Sequence, residues 1–134
     1  MKEIVGIITS LSVLMMIGAA CTPVDEPGRI ELSQTEFDFG AVPNIGPARH
    51  TFQVRNVGQG TLEITGVSTS CGCTTAEVDE DRLAPGETAT LTVTYDPQAH
   101  DGQTGRFMRV VYVRSTDPET PEASLTIQVT VTQS

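Results

Sequence analysis

Residues 88–95 read Thr-Ala-Thr-Leu-Thr-Val-Thr-Tyr, a strict alternation of threonines with apolar or aromatic residues. Successive side chains of a β-strand point to opposite faces, so a period of two is typical of a strand with one buried face. The predicted inward residues are Ala89, Leu91, Val93 and Tyr95. This stretch therefore predicts a β-strand that packs its apolar face on a core.

The same alternation recurs on both sides of this segment, and no segment has a convincing helical period. Turn residues separate the alternating segments: we predict a hairpin loop at residues 56–60 and a type II turn at residues 83–86, where Pro and Gly favour the required backbone angles. The further residues predicted to face inward are Phe52, Val54, Leu62, Ile64, Leu125, Ile127, Val129 and Val131.

The composition sets limits on the class of protein. The chain has 134 residues, a net charge of -9 and no Trp, and 38% of its residues are hydrophobic. This length suits one domain, and the negative charge argues against nucleic acid as a partner. About seven short strands separated by turns predict an all-β fold, an antiparallel β-sandwich of immunoglobulin type.

The N-terminal region has the features of an export signal. Residues 4–17 are uncharged and mostly apolar, Lys2 precedes them, and Gly-Ala-Ala stands directly before Cys21. Such a segment is typical of a secretory signal peptide, and the cysteine resembles that of a bacterial lipobox, although Gly18 stands where an aliphatic residue is usual. Cleavage without lipid and an uncleaved anchor are the alternatives. We predict a lipoprotein-type signal peptide at residues 1–20, a lipidated Cys21 that begins a tether at 21–28, and the sandwich at 29–134.

Several short motifs follow one another in the predicted sandwich. Together they resemble the bacterial domain-of-unknown-function family 1573, which is allied to the immunoglobulin-like superfamily of major sperm protein and hydin-type domains. The resemblance covers roughly residues 30–132 and implies an exported, often lipid-anchored β-sandwich without an assigned activity or a catalytic residue. Thr116 departs from the family, which commonly has Asn there. The motifs are Phe-Asp-Phe-Gly-Ala-Val at 37–42, Phe-Gln-Val-Arg-Asn-Val-Gly at 52–58, Leu-Glu-Ile at 62–64, Ser-Cys-Gly-Cys-Thr at 70–74, Ala-Pro-Gly at 84–86 and Ser-Thr-Asp-Pro at 115–118.

The Cys71-Gly72-Cys73 step is the main chemical feature of the sequence. At the end of a predicted strand over residues 66–74, both thiols would point to the same side. They are then two buried apolar side chains, a disulfide that requires a bend at Gly72, or a soft-metal site, most plausibly for Cu(I). A nucleophilic cysteine is a fourth alternative, which the acidic composition disfavours. The further side chains available to a metal are His50, His100 and Met108.

Residues 105–115 are apolar on both faces of one predicted strand. We place Phe107, Val111 and Val113 in the core, and we expect a protein contact on the opposite face, because Arg, Met and Tyr are enriched at interfaces. The opposite register is the alternative, since Arg109 falls on the core face unless a bulge turns it outward. The predicted interface residues are Arg106, Met108, Val110, Tyr112 and Arg114.

The sequence contains no phosphate-binding loop, serine nucleophile motif or zinc-protease motif. We therefore predict a non-enzymatic module without a cofactor, exported to the cell envelope and anchored to a membrane by its N-terminal lipid. Its expected role is to bind or scaffold envelope proteins. The alternative is a thiol redox or copper-handling protein that uses Cys71 and Cys73.

Overall fold

The computed structural model describes residue 18 and residues 25–134. The predicted signal peptide, apart from that one residue, and the predicted lipidation site Cys21 lie outside the described residues, as does the first half of the predicted tether. Within the part of the chain that is described, no helix is long and apolar enough to cross a membrane.

The described residues form nine β-strands and one turn of 3₁₀ helix, which are joined by turns and loops. Alternating residues form the long strands, and Gly, Pro, Asn and Asp occupy most of the connections. The strands are β1 (Ile30–Leu32), β2 (Glu36–Pro43), β3 (Ala48–Asn56), β4 (Leu62–Thr69), β5 (Thr74–Val78), β6 (Arg82–Leu83), β7 (Thr88–Tyr95), β8 (Gly105–Ser115) and β9 (Glu122–Thr132), and the 3₁₀ turn spans Pro97–His100.

The strands form two sheets that face each other. One sheet has the order β1-β3-β7-β5 and the other has the order β2-β9-β8-β4-β6. All pairs are antiparallel except β2 and β9, which run parallel. The predicted immunoglobulin-like β-sandwich is confirmed. It has more strands than predicted because β1 and β6, of three and two residues, are too short to show an alternating pattern.

The core lies between the two sheets and contains the residues that the alternation predicted to face inward, with Val42 and Leu83 in addition. All of them are buried, and most have no exposed surface at all. A second, smaller cluster at one end of the sandwich contains Val42, Cys73, Tyr95, Val129 and Val131. The apolar core therefore extends to the turn that carries the two body cysteines.

The hairpin predicted at residues 56–60 is wrong. The strands on either side of this loop, β3 and β4, belong to different sheets, so the loop crosses from one sheet to the other. The reason is the fully buried side chain of Asn56, which bonds to backbone groups of Gly60 and Leu83 and so turns the chain toward the second sheet. The predicted type II turn lies one residue later, at residues 84–87, where the amide of Glu87 donates to the carbonyl oxygen of Ala84 at 3.0 Å and Gly86 has a φ of 83°.

The register predicted for β8 matches the burial of its side chains. Val111 and Val113 are fully buried, whereas Met108 on the opposite face is 58% exposed. Pairing with β9 continues without a shift from Gly105 to Arg114, so no bulge turns Arg109 outward on that side. Arg109 stays on the inner face, half-buried at the end of the sandwich.

Two neighbouring substitutions test this register. Tyr112→Ala should lower the free energy of unfolding by less than about 1 kcal/mol, because it removes only cross-strand contacts on an outer face. Val113→Ala should lower it by about 2–3 kcal/mol, because it leaves a cavity in the core. Urea unfolding of both variants measures the difference. A larger loss for Tyr112→Ala than for Val113→Ala would contradict the register.

Candidate functional site

The turn that carries the two cysteines connects β4 of one sheet to β5 of the other. The strand predicted over residues 66–74 is wrong for its last part, because β4 ends at Thr69. The hydroxyl of Thr69 donates to the carbonyl oxygens of Cys71 and Thr74, at 2.9 and 2.7 Å, and closes the turn. The amide of Ser70 donates to the carbonyl oxygen of Val110 in β8 at 2.9 Å, and the amide of Val110 donates to the hydroxyl of Ser70 at 2.9 Å. Hydrogen bonds therefore fix this turn internally, through Thr69, and also against strand β8.

Within this turn, Cys71 and Cys73 form a disulfide, and their Cα atoms are 5.3 Å apart. An extended strand would separate residues i and i+2 by about 6.6 Å, so the bend at Gly72 brings the two closer. The two sulfurs differ in their surroundings. Cys73 is only 2% exposed and belongs to the smaller core cluster, whereas Cys71 is half-buried at its edge.

The 3₁₀ turn after β7 brings His100 to the disulfide. The amide of Asp96 donates to the carbonyl oxygen of Cys73 at 2.8 Å, which ties the end of β7 to the cysteine turn. The carboxylate of Asp96 then caps the 3₁₀ turn by accepting from the amide of Gln98 at 2.9 Å. As a result, Nε2 of His100 lies 2.9 Å from Sγ of Cys71.

Among the described residues, Cys71, Cys73 and His100 form a group of possible metal ligands. The donor atoms of Cys71, Cys73 and His100 all lie within 4.8 Å of one another. Two sulfurs and one imidazole nitrogen would suit Cu(I) or Zn²⁺ only after reduction of the disulfide, because thiolates are the ligands. The other predicted ligands are elsewhere: His50 stacks on Phe37 with ring centroids 4.0 Å apart, and Met108 faces outward.

Arg109 is the residue of this site that the sequence did not assign. Its Nε donates to Sγ of Cys73 at 3.1 Å, and its guanidinium carbon lies 5.3 Å from the ring centroid of Phe107. A basic residue at an inward position of an apolar strand was the available signal. The charged group that bonds to the buried sulfur is thus a cation, whereas the acidic composition predicts acidic surroundings.

Tyr95 belongs to the same buried cluster as Cys73. Burial raises the pKa of the Tyr95 hydroxyl, the positive charge of Arg109 acts in the opposite direction, and Asp96 adds to the rise. The phenol is neutral at neutral pH and 1% exposed. It therefore contributes an apolar wall beside Cys73 rather than a second charge.

An open hollow of about 580 Å³ lies next to the cysteine cluster. Phe107 belongs to both, since it packs against the cluster and lines the hollow. The other lining residues are mostly polar.

The predicted interface residues lie together on the outer face of β8. Met108, Val110 and Tyr112 form its apolar centre, with an arginine at each end. Arg106 donates to the side-chain oxygen of Gln128, and Arg114 pairs with Glu122 at 3.1 Å. This face is on the opposite side of the sheet from the disulfide, so the two candidate sites are separate surfaces.

Comparison with solved structures supports the fold. The chain is similar to a protein of unknown function from Porphyromonas gingivalis W83, with a TM-score of 0.71 and 24% identity over 84% of this chain and 51% of that one. It is similar to the VesB protease of Vibrio cholerae, with a TM-score of 0.62 and 18% identity over 75% of this chain and 31% of the protease.

A third match covers a whole domain. The ASH/PapD-like domain of human CEP192 has a TM-score of 0.56 and 10% identity over 90% of this chain and 96% of that domain. The present chain spans only about half of the Porphyromonas protein and a third of the protease.

No curated protein matches the sequence. The model of the family described as "Protein of unknown function (DUF1573)" matches residues 30–131, and the chain belongs to this family.

Proposed function

We propose that this protein is an exported, membrane-anchored module that acts by binding or scaffolding other cell-envelope proteins rather than by catalysis. The observation that carries the proposal is the outer face of β8, where Met108 is 58% exposed beside Val110 and Tyr112. The N-terminal sequence supports the export and anchoring parts of this proposal, with Cys21 as the proposed lipidation site.

The composition of this face favours a protein partner. An apolar centre with polar residues at its edge is the usual arrangement of a protein interface, and Met, Tyr and Arg are enriched there. The neighbouring outward positions on β9 and β4 are polar, including Thr126, Gln128 and Ser68. A partner that fits would offer apolar side chains to the centre and hydrogen-bond acceptors or carboxylates to the two arginines.

A site-specific photo-crosslinker tests the proposal. A benzophenone amino acid at Tyr112 of the full chain, expressed in its own cells, should give a discrete adduct with one envelope protein. The matched control is the same probe at Thr92, an outward position on the other sheet, which should give none. Adding Met108→Asp should weaken the adduct at least about tenfold, because it places a charge in the apolar centre.

Two results would contradict the proposed interface. Equal adducts from positions 112 and 92 would indicate non-specific proximity, and an adduct that persists with Met108→Asp would place the contact elsewhere. A circular dichroism spectrum of each variant controls for loss of fold.

A thiol redox or copper-handling role is the second candidate, favoured by the joint position of Cys71, Cys73 and His100. Intact mass of the full chain after alkylation, with and without reductant, tests it. A two-hydrogen deficit that disappears under mild reduction of the folded protein supports it. Thiols that react only after unfolding contradict it.

A further inference from the structure

We propose that the Cys71–Cys73 disulfide exchanges with a partner protein that carries a dithiol, with Cys71 as the attacked sulfur and Cys73 as the leaving thiolate held by Arg109. This proposal rests on the thiol redox function and assigns a direction to it. It is independent of the outer face of β8.

Accessibility selects the attacked sulfur. Cys71 is half-buried at the surface, so an external thiolate can approach it, and the exposed ring of His100 lies beside its Sγ. Cys73 is 2% exposed and packs with Tyr95 and the valines at the end of the core. Exchange depends on access of the thiolate to one sulfur while the other leaves, and here only Cys71 offers that access.

Charge selects the leaving sulfur. Arg109 donates its Nε–H to Cys73 Sγ at 3.1 Å, and the hydroxyl of Thr74 lies 3.5 Å from the same sulfur. In the described part of the chain, ion pairs use Arg29, Arg82 and Arg114 but join no carboxylate to Arg109. An unneutralised cation beside a sulfur favours its thiolate, and a stabilised thiolate is a better leaving group.

The exchange proceeds in two displacements. A thiolate of the partner attacks Cys71 Sγ and forms a mixed disulfide, while the electron pair of the broken bond passes to Cys73 Sγ, whose negative charge Arg109 holds. A second thiolate of the partner then attacks the partner's own sulfur in the mixed disulfide and releases Cys71 as a thiolate. The partner is oxidised by two electrons to a disulfide. Cys71 and Cys73 are reduced to a dithiol and take up the two protons that the partner lost.

Arg109 also favours exchange over metal binding. Its guanidinium occupies one side of the Cys73 sulfur and places a positive charge where a Cu(I) or Zn²⁺ ion would add another. Like charges at such a distance repel. The group of Cys71, Cys73 and His100 is therefore better suited to stabilise thiolates than to hold a cation.

The attacked sulfur can be mapped directly on the folded, oxidised full chain. Reduced glutathione serves as the probe, the reaction is stopped with acid at short times, and the modified cysteine is located by fragmenting the peptide that contains both cysteines in tandem mass spectrometry. We expect the adduct on Cys71 to exceed that on Cys73 at least about tenfold. An equal distribution, or an excess on Cys73, would overturn the assignment.

The role of Arg109 is tested by the equilibrium with dithiothreitol. Arg109→Gln should lower the equilibrium constant for reduction about tenfold, because the reduced form loses the cation beside its thiolate. Arg109→Lys should restore most of the constant, and Arg106→Gln, on the outer face of the same strand, should leave it unchanged.

The outcomes distinguish a failure of the role proposed for Arg109 from a failure of the thiol redox function itself. If the disulfide exchanges but Arg109→Gln behaves like the unmodified protein, the role of Arg109 is wrong and the redox function stands. If the disulfide of the folded chain is inert to both thiols, both are wrong. A metal retained by the reduced protein in native mass spectrometry would overturn exchange in favour of a metal site. Should Arg109→Gln fail to fold, the glutathione map still decides the direction.

Discussion

Replacing Asn56 with alanine should lower the free energy of unfolding by about 3–5 kcal/mol, through the loss of four hydrogen bonds at a buried position. The side chain is fully buried. Its oxygen accepts from the amides of Arg29 and Gly58 at 3.1 and 3.0 Å, and its nitrogen donates to the carbonyl oxygens of Gly60 and Leu83 at 2.7 and 2.9 Å. All four hydrogen-bonding positions of the amide are used.

The expected loss of stability is large because the backbone groups that bond to the Asn56 side chain lose their hydrogen-bond partner. A buried donor or acceptor that loses its partner costs about 1–3 kcal/mol, and these groups come from separate segments that the one side chain joins. The measurement is urea unfolding at neutral pH, compared with Asn44→Ala as the matched control. Asn44 is half-buried and bonds to Gly102 and Ser134, and its loss should cost less than about 1 kcal/mol.

Asn56→Asp tests the contribution of hydrogen bonding, because it keeps the shape of the side chain but removes its donor group. The carboxylate keeps the size of the amide but presents an acceptor to the carbonyl oxygens of Gly60 and Leu83, and it buries a charge. We expect a loss at neutral pH at least as large as for alanine. A loss below about 1 kcal/mol in both variants would mean that backbone bonds alone hold the loop, and would contradict this account.

Much of the fold could be predicted from the sequence because the long strands are half-buried. Alternation assigns an inward face to each such strand, and those residues are the observed core. Alternation does not say which sheet a strand joins. Residues 56–60 have the composition of a hairpin loop, but the chain crosses between the sheets there, and the bond of Asn56 to Leu83 joins groups 27 residues apart that leave no local pattern.

The candidate site was predictable only in part, for a similar reason. The spacing of Cys71 and Cys73 showed that the thiols are neighbours, but their partners are distant in sequence. His100 reaches Cys71 through a short 3₁₀ turn, and Arg109 reaches Cys73 from the facing sheet. Separations of 29 and 36 residues leave no local pattern. Arg109 has a visible signal, its inward position, but in the sequence alone this position indicates a conflict of register as readily as it indicates a site.

The loop between β8 and β9 depends in the same way on one buried polar side chain, Asp117, which is 3% exposed. Its carboxylate accepts from the amides of Ile30, Glu119 and Thr120 at 2.9, 2.9 and 3.2 Å, and Arg29 lies 3.4 Å away. Burial acts to raise the pKa of Asp117, but these hydrogen bonds and the charge of Arg29 outweigh it, so the pKa lies below its ordinary value of 3.8.

Asp117→Asn should therefore lower the free energy of unfolding at pH 7 by about 2–4 kcal/mol, since an amide must turn its donor toward one of the three amides. Because the folded pKa is lowered, the carboxylate stabilises the protein above about pH 4, and this contribution is lost as the pH falls through the folded value.

Urea unfolding at several pH values should show the difference between Asp117→Asn and the unmodified protein shrinking below pH 4. Asp81→Asn, at an exposed carboxylate, is the control and should change little at any pH. A difference that stays constant down to about pH 2 would show that the charge of Asp117 does not contribute, and that only its shape holds the loop.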